Sequence, residues 1–183
     1  MRIVSGTHKS KRIYAPKNLP VRPTTDMAKE SLFNILNNDY YFDEIRVLDL
    51  FSGTGNISYE FASRGTQQIL SVDQNLNCIR FIQKTAEELG FKAITTLKAD
   101  VFEFVTKHKQ EYDVIFADAP YDIEGLESVI ENIFKHDLLA NNGVLILEHP
   151  KEQDFSELPN YINKRRYGNV NFSFFERNDE VEN

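Results

Sequence analysis

Residues 46–55 read RVLDLFSGTG, and this stretch decides the fold class. Its first part, Arg46–Phe51, is a short and largely apolar run of the kind that forms a buried parallel strand. Gly53 and Gly55 then allow a tight turn and a close approach of the backbone to a ligand. The stretch therefore predicts a strand that leads through a glycine loop into a helix at Asn56–Ser63.

The same alternation continues along the chain. Further strands are predicted at Gln68–Val72, Ala93–Leu97, Val114–Ala117 and Gly143–Leu147, and helices at Asn75–Leu89, Val101–Lys107 and Glu124–Lys135. Repeated strand–helix units predict an open α/β sheet. The last two strands, Tyr161–Tyr167 and Val170–Phe175, flank Gly168-Asn169 and predict an antiparallel hairpin. We therefore expect a Rossmann-like α/β fold, with a mostly parallel seven-stranded sheet that ends in a C-terminal antiparallel hairpin.

The N-terminal region differs from this pattern. Short β-like runs at residues 2–4 and 11–14 surround Ser5-Gly6 and predict a small hairpin. Three prolines make residues 15–23 extended, and Thr24 or Thr25 then caps a helix. We expect an N-terminal arm (residues 1–23) in front of a main domain (residues 24–183).

Charge is distributed unevenly between these two parts. The whole chain carries a net charge of −7, which argues against a protein that coats nucleic acid nonspecifically. Residues 1–29 nevertheless hold seven lysines and arginines against the single acid Asp26. A basic arm on an acidic body predicts that the arm contacts a polyanion.

Composition also indicates the cellular compartment. The only cysteine, Cys78, can form neither an internal disulfide nor a thiolate zinc site. No apolar run is long enough to cross a bilayer, and the first residues do not resemble a secretory signal. We expect a cytoplasmic protein that binds no membrane and acts as a monomer.

Acidic residues follow four successive predicted strands. Asp49, Asp73, Asp100 and Asp118 all lie at or just after a strand end, where open α/β sheets bind their ligands. Asp73 follows Gly53 by about 20 residues, a spacing at which a carboxylate can bind ribose hydroxyls. Asp73 and Asp100 could each be an ordinary helix cap. Together with the glycine loop, the acids predict an adenosine ligand.

The fourth strand is followed by Asp118-Ala119-Pro120-Tyr121. Carbonyl and carboxylate acceptors beside an aromatic ring can bind the planar exocyclic amine of a nucleobase. The lone pair of such an amine is delocalised into the base, so the amine is a poor nucleophile. Acceptors on both N–H bonds favour the tetrahedral nitrogen that can react, and Tyr121 can stack on an extruded base.

These motifs resemble the class I S-adenosylmethionine-dependent methyltransferases that modify amino nitrogens. Further segments narrow the resemblance to the bacterial 16S ribosomal RNA guanine-N2 methyltransferase (RsmD-like) family. They are Arg2-Ile3-Val4-Ser5-Gly6, Arg22-Pro23-Thr24-Thr25-Asp26, Glu30-Ser31-Leu32-Phe33-Asn34 and Leu147-Glu148-His149. The resemblance covers about residues 2 to 175.

The resemblance implies a role for each matching residue. Asp49, Ser52, Gly53 and Gly55 would hold the methionine part of the cofactor, with Arg22 and Thr24 closing over it. Asp73 would bind the ribose, and Asp100 with Val101 would bind the adenine. The catalytic residues would be Asp118, Pro120 and Tyr121, which would hold the target guanine, and Asp118 would also contact the cofactor. RNA would be contacted by Tyr121 and by the arm residues Arg2, Lys9, Lys11 and Arg12.

The implied reaction transfers a methyl group from S-adenosyl-L-methionine to N2 of a guanine in 16S rRNA, within a partly or fully assembled small subunit. No metal is expected. Ala119 departs from the family, which usually has proline there, and we expect alanine to reduce rigidity rather than change the chemistry. The alternatives are an amino-methyltransferase for DNA adenine or cytosine or another rRNA guanine, a nicotinamide-dependent oxidoreductase, and a noncatalytic RNA-binding module. Ser58, in place of the third glycine of a dinucleotide fingerprint, disfavours the oxidoreductase.

Overall fold

The computed structural model describes residues 1–17, residue 19 and residues 24–177. The helices are α1 (Asp26–Asp39), α2 (Asn56–Ser63), α3 (Leu76–Leu89), α4 (Val101–Lys107) and α5 (Leu126–Lys135). The strands are β1 (Arg46–Leu50), β2 (Gln68–Asp73), β3 (Ile94–Lys98), β4 (Tyr112–Asp118), β5 (Leu139–Pro150), β6 (Tyr161–Tyr167) and β7 (Val170–Glu176). The prediction that residues 15–23 are extended falls largely on positions outside the described residues.

All seven strands form one sheet, in the order β3-β2-β1-β4-β5-β7-β6. The first five strands run parallel, whereas β7 pairs antiparallel with both β5 and β6. The predicted fold class is confirmed. The strand order places β1 and β4 side by side at the centre, where the chain changes its direction of winding, and such a switch point is where open α/β sheets bind ligands.

The strand residues alternate between two core layers. Leu48 and Ile115 face a layer built with α4 and α5, and their neighbours Val47 and Val114 face a layer built with α1 and α2. Parallel strands that are covered on both faces read as continuous apolar runs, which explains why these strands were recognisable in the sequence.

Strand and helix ends differ modestly from the predictions. Strand β5 begins at Leu139 instead of Gly143, because Leu139 pairs with Tyr112 before an irregularity in the register. Helix α5 begins at Leu126 instead of Glu124, after Gly125 in a left-handed conformation. Thr25 caps α1 by accepting from the Ala28 N–H.

The arm forms a shorter hairpin than predicted. Arg2 and Arg12 form one antiparallel bridge. The N–H groups of Val4 and Ser5 donate to the Glu60 carboxylate instead, at 2.8 and 3.0 Å. Ile3 and Ile13 still donate across the hairpin, to the Lys11 and Met1 carbonyls, whereas Val4 and Ser5 bind α2.

Gly6 permits the close approach of the arm to α2. Its φ is +84°, and a Cβ atom at this position would lie 1.8 Å from the Ser63 carbonyl oxygen. Ile3 and Ile13 are buried in a third cluster with residues that include Tyr59 and Ile82. The arm is thus packed against α2 and α3. Within the described residues, no helix is long and apolar enough to span a membrane.

Candidate active site

A cavity of about 440 Å³ lies at the carboxyl ends of the central strands. Ten of the residues that the sequence singled out line it: Thr24, Asp49, Ser52, Gly53, Asp73, Asp100, Val101, Asp118, Pro120 and Tyr121. They come from five separate segments of the chain, so the parallel sheet brings them together. A concave site of this size is typical for a small-molecule ligand.

Two predicted cofactor residues are not among them. Gly55 does not line the cavity, and its φ of +78° places it at the start of α2. A Cβ atom there would lie 2.9 Å from side-chain atoms of both Ile82 and Tyr59, so this glycine allows α2 to pack against its neighbours. Arg22 lies outside the described residues.

The glycine loop leaves one buried hydroxyl unsatisfied. Phe51 and Gly53 have positive φ values of 55° and 52°, which turn the chain sharply after β1. Ser52 lines the cavity, and its Oγ is buried without a hydrogen-bond partner among the described residues. A buried polar atom without a partner is unfavourable, so Ser52 is suited to a ligand that supplies one.

Asp73 holds the glycine loop in place. One carboxylate oxygen accepts from the Gly53 N–H at 2.8 Å and the other from the Asn75 N–H at 2.7 Å. Each oxygen has a second lone pair available for a ligand. Asp73 therefore stabilises the loop and keeps acceptor capacity toward the cavity.

Asp100 is both a helix cap and a cavity residue. Its side chain accepts from the Glu103 N–H at 3.2 Å at the start of α4, which is the ordinary cap role. Asp100 is exposed, and it lines the cavity together with the buried Val101. The two roles are compatible, because the cap uses only one of the carboxylate's acceptor positions.

The sequence predictions did not assign Glu148 to the site, although it lies next to Asp118. The two residues are paired across β4 and β5. Glu148 is buried, and Thr24 Oγ1 donates to its Oε2 at 2.5 Å. The sequence does show a carboxylate, Glu148, directly after the apolar run from Val144 to Leu147, which could have marked it as a site residue. Only the strand register shows that Glu148 lies beside Asp118.

Three carboxyl groups in this region hold their protons more tightly than usual. Burial raises the pKa of Asp49 to about 7, against the opposing effect of the hydrogen bond from Ser58. Burial likewise raises the pKa of Glu148 to about 7. The pKa of Asp118 is raised well above its usual range, first by loss of solvent and then by the negative charges of Glu148 and Asp49.

These raised pKa values predict that the protein loses stability as the pH rises. The folded state retains the Glu148 proton up to about pH 7, whereas an unfolded chain releases it near 4.5. This contribution to stability is therefore complete below about pH 4.5 and is lost as the pH rises through 7. We expect the free energy of unfolding to fall between pH 5 and 7.5, by at most about 1.4 kcal/mol per pH unit for one such group.

Urea unfolding at several pH values measures this slope. The Glu148→Gln variant should show a shallower slope, because it has no proton to lose. Glu131→Gln, at an exposed position of α5, is the matched control. An unchanged slope in Glu148→Gln would contradict the prediction.

The residues predicted to contact RNA lie outside the cavity, apart from Tyr121. Tyr121 is 49% exposed and lines the cavity. Lys9, Lys11 and Arg12 are exposed on the arm. Arg2 is also exposed and forms an ion pair with Asp26 at 3.1 Å.

Comparison with known proteins points to one family. The profile of the family described as "Conserved hypothetical protein 95" matches residues 1–176. A Bacillus subtilis protein named "Putative rRNA methyltransferase YlbH" is 31% identical over 161 residues, which span 86% of this chain and 86% of that protein. "Ribosomal RNA small subunit methyltransferase D" of Buchnera aphidicola is 29% identical over 148 residues, 81% of this chain and 75% of that protein.

A solved structure shows the same fold. The chain titled "Putative methyltransferase yhhF from Escherichia coli" superposes with a TM-score of 0.85 at 23% identity, and the match covers 97% of each chain. At this identity the likeness bears on the fold alone.

Proposed function

Because this chain belongs to the Conserved hypothetical protein 95 family, the RsmD family of methyltransferases, we propose that it methylates N2 of a guanine in 16S ribosomal RNA. The methyl donor would be S-adenosyl-L-methionine. The single observation that carries the proposal is that the Asp118–Tyr121 loop lines the same cavity as Asp73 and Asp100. The residues proposed to accept hydrogen bonds from the amine and from the adenosine thus line one cavity.

The cavity residues fit this cofactor. Asp73 would accept hydrogen bonds from the ribose hydroxyls, and Asp100 with Val101 would bind the adenine. Asp49, Ser52 and Gly53 would hold the methionine part, and the unsatisfied Ser52 hydroxyl suits its polar groups. Thr24 would border this end, with Arg22 two positions before it in the sequence. When bound, the cofactor supplies an electrophilic methyl group.

The loop after β4 would orient the target base. The Asp118 carboxylate and the backbone carbonyl of Ala119 would accept hydrogen bonds from the two N–H groups of the guanine amine. Pro120 restricts the loop, and Tyr121 would stack on the base. Holding the nitrogen in the correct geometry is expected to supply most of the rate acceleration.

The chain also offers acceptors for the proton that the amine must lose. Asp118 and Glu148 are neighbours, and burial raises the pKa of both, to about 7 for Glu148, which increases their affinity for a proton. Thr24, which donates to Glu148, restricts the orientation of that carboxylate. This arrangement suits a site that receives one proton in each turnover and then returns it to water.

We assign RNA binding to the arm, residues 1–23, and catalysis to residues 24–183. Arg2, Lys9, Lys11 and Arg12 would contact phosphates, which increases affinity without specifying sequence. The name of the Bacillus subtilis relative supports rRNA as the partner, and that of the Buchnera aphidicola relative supports rRNA of the small subunit. We propose that the protein works as a cytoplasmic monomer on RNA that is already partly assembled with ribosomal proteins.

Methyl transfer from labelled S-adenosylmethionine tests the function. The acceptors are small subunits that lack the modification, naked 16S RNA, and duplex DNA, and the products are identified as nucleosides by mass spectrometry. We expect N2-methylguanine in the ribosomal RNA. Label that appears only in DNA, or in another base, would overturn the proposed substrate.

We expect Asp73→Ala to lower the affinity for S-adenosylhomocysteine by about 10- to 100-fold. The variant loses a charged acceptor for the ligand, worth about 1.5–3 kcal/mol, and it releases the Gly53 and Asn75 amides. Isothermal titration measures the change, and Glu131→Ala, at an exposed position of α5, none of whose residues lines the cavity, is the control. Unchanged affinity in Asp73→Ala would remove this residue from the cofactor site.

A further inference from the structure

A second concave surface lies between the arm and α3. Its volume is about 720 Å³. We call it the α3 groove, and its charged residues are Lys11 and Arg12 from the arm and Arg80, Lys84 and Glu88 from α3. Four cations therefore face one acid in a protein whose net charge is −7. This local excess of positive charge is the first sign of an anionic ligand.

The cations of the groove have little compensation within the protein. Across the described ranges, Lys84 is the only one of the four with an ion-pair partner, at 3.8 Å from Glu88, and both of those side chains are largely exposed. Such a surface pair contributes little. Arg80 and Lys84 are also separated by four residues on α3, where like charges repel. A bound polyanion would relieve this repulsion.

Tyr14 adds an aromatic ring beside these charges. It lines the groove and is 79% exposed. An exposed ring next to cations is the combination that binds single-stranded nucleic acid, because the ring stacks on a base while the cations contact phosphates. A binding site for an acidic protein segment would use the charges but would give the ring no such role.

The groove lies next to the proposed active site. Asn77 lines the groove, whereas Asn75 and Cys78 line the cavity, so the two surfaces meet at the first turn of α3. From Asn77 to Lys84, α3 extends roughly 10 Å, at 1.5 Å per residue. A strand whose nucleotide enters the cavity could therefore continue directly along the groove.

We propose that the α3 groove binds a short single-stranded RNA segment that flanks the target guanine. Tyr14 stacks on one of its bases, and Arg12, Arg80 and Lys84 contact its phosphates. This proposal rests on the proposed function and extends the RNA surface from the arm to α3.

The test compares three variants for binding to 16S RNA and small subunits. Arg80→Glu/Lys84→Glu is expected to weaken binding at least tenfold and to reduce the salt dependence of the affinity. Tyr14→Ala should weaken binding about 5- to 100-fold, since stacking contributes about 1–3 kcal/mol per base. Tyr14→Phe keeps the ring and should bind like the wild type. Lys135→Glu is the charge control, because it lies on α5 at the other face of the sheet.

The readouts separate this proposal from the proposed function. In methyl transfer, the groove variants should raise KM for RNA, and all variants should bind S-adenosylhomocysteine like the wild type. If the wild type methylates rRNA and the groove variants bind RNA equally well, the groove proposal is overturned and the function stands. If the wild type does not methylate rRNA, but the groove variants still lose affinity for it, the function fails and the groove remains an RNA site. If Tyr14→Ala and Tyr14→Phe lose the same affinity, stacking is excluded and the proposal fails as stated.

Discussion

Methyl transfer by the Asp118→Ala variant is expected to be about 10²- to 10³-fold slower than by the wild type, in kcat. Asp118 is the only acidic side chain that the Asp118–Tyr121 loop contributes to the cavity. Without it the amine keeps its lone pair delocalised into the guanine ring, and the proton has one acceptor fewer. Multiple-turnover assays on small subunits give kcat, and single-turnover methylation with saturating cofactor measures the chemical step separately from product release.

Loss of folding does not explain such a result. The pKa of Asp118 is raised because the side chain is buried and lies near the acids Glu148 and Asp49. Its removal therefore relieves unfavourable interactions among these acids. We expect Asp118→Ala to be at least as stable as the wild type and to bind S-adenosylhomocysteine with similar affinity. Asp118→Asn keeps a carbonyl acceptor and should be more active than the alanine variant. A kcat within threefold of the wild type in Asp118→Ala would exclude the assigned role.

Glu60→Leu is expected to lower the free energy of unfolding by about 3–5 kcal/mol. The Glu60 side chain on α2 is fully buried and holds four groups together. It accepts from the N–H groups of Val4 and Ser5, pairs with Arg64 at 2.9 Å and pairs with Lys29 at 3.4 Å. Leucine fills a similar volume but leaves all four donors without this partner.

Lys29 makes this loss especially unfavourable. Its side chain is as fully buried as that of Glu60, and burial lowers its pKa, with Glu60 the main opposing influence. Without Glu60, the ammonium group must either remain buried without its counter-ion or release its proton. The double variant Lys29→Met/Glu60→Leu removes both charges and should therefore be more stable than Glu60→Leu alone.

Urea denaturation of the single and double variants measures these differences. Glu103→Gln is the matched control, because it breaks an ion pair with Lys107 in which both side chains are more than 70% exposed. Its effect should stay within about 0.5 kcal/mol. Equal stability of Glu60→Leu and Glu103→Gln would show that the buried network does not stabilise the fold.

The same network connects the arm with the site. Lys29 Nζ also donates to the Arg2 carbonyl at 2.6 Å and to Asn56 Oδ1 at 2.8 Å. Asn56 donates in turn to the Thr24 carbonyl at 3.0 Å, and Thr24 donates to Glu148. The predicted RNA-binding arm and the carboxylate beside Asp118 are therefore held by one continuous set of hydrogen bonds.

The sequence by itself determined the α/β sheet, its final antiparallel hairpin and the acids at the strand ends. These features depend on local signals, because a buried parallel strand is a short apolar run and a glycine marks the turn that ends it. Helices α2 and α4 and strand β6 have the bounds predicted for them. Asp73 and Asp100 could be placed at the cavity because the carboxyl ends of parallel strands meet at one edge of the sheet.

Only the tertiary structure decided which side chains meet across the chain. Glu148 lies beside Asp118 because of the register of β4 and β5, and Thr24 donates to Glu148 across 124 residues. Glu60 and Lys29 belong to helical patterns that reveal no buried ion pair, and the arm binds α2 through backbone groups that every sequence has. Such contacts depend on the free energy of burying specific pairs of groups in three dimensions, and no local residue pattern encodes which pairs these are.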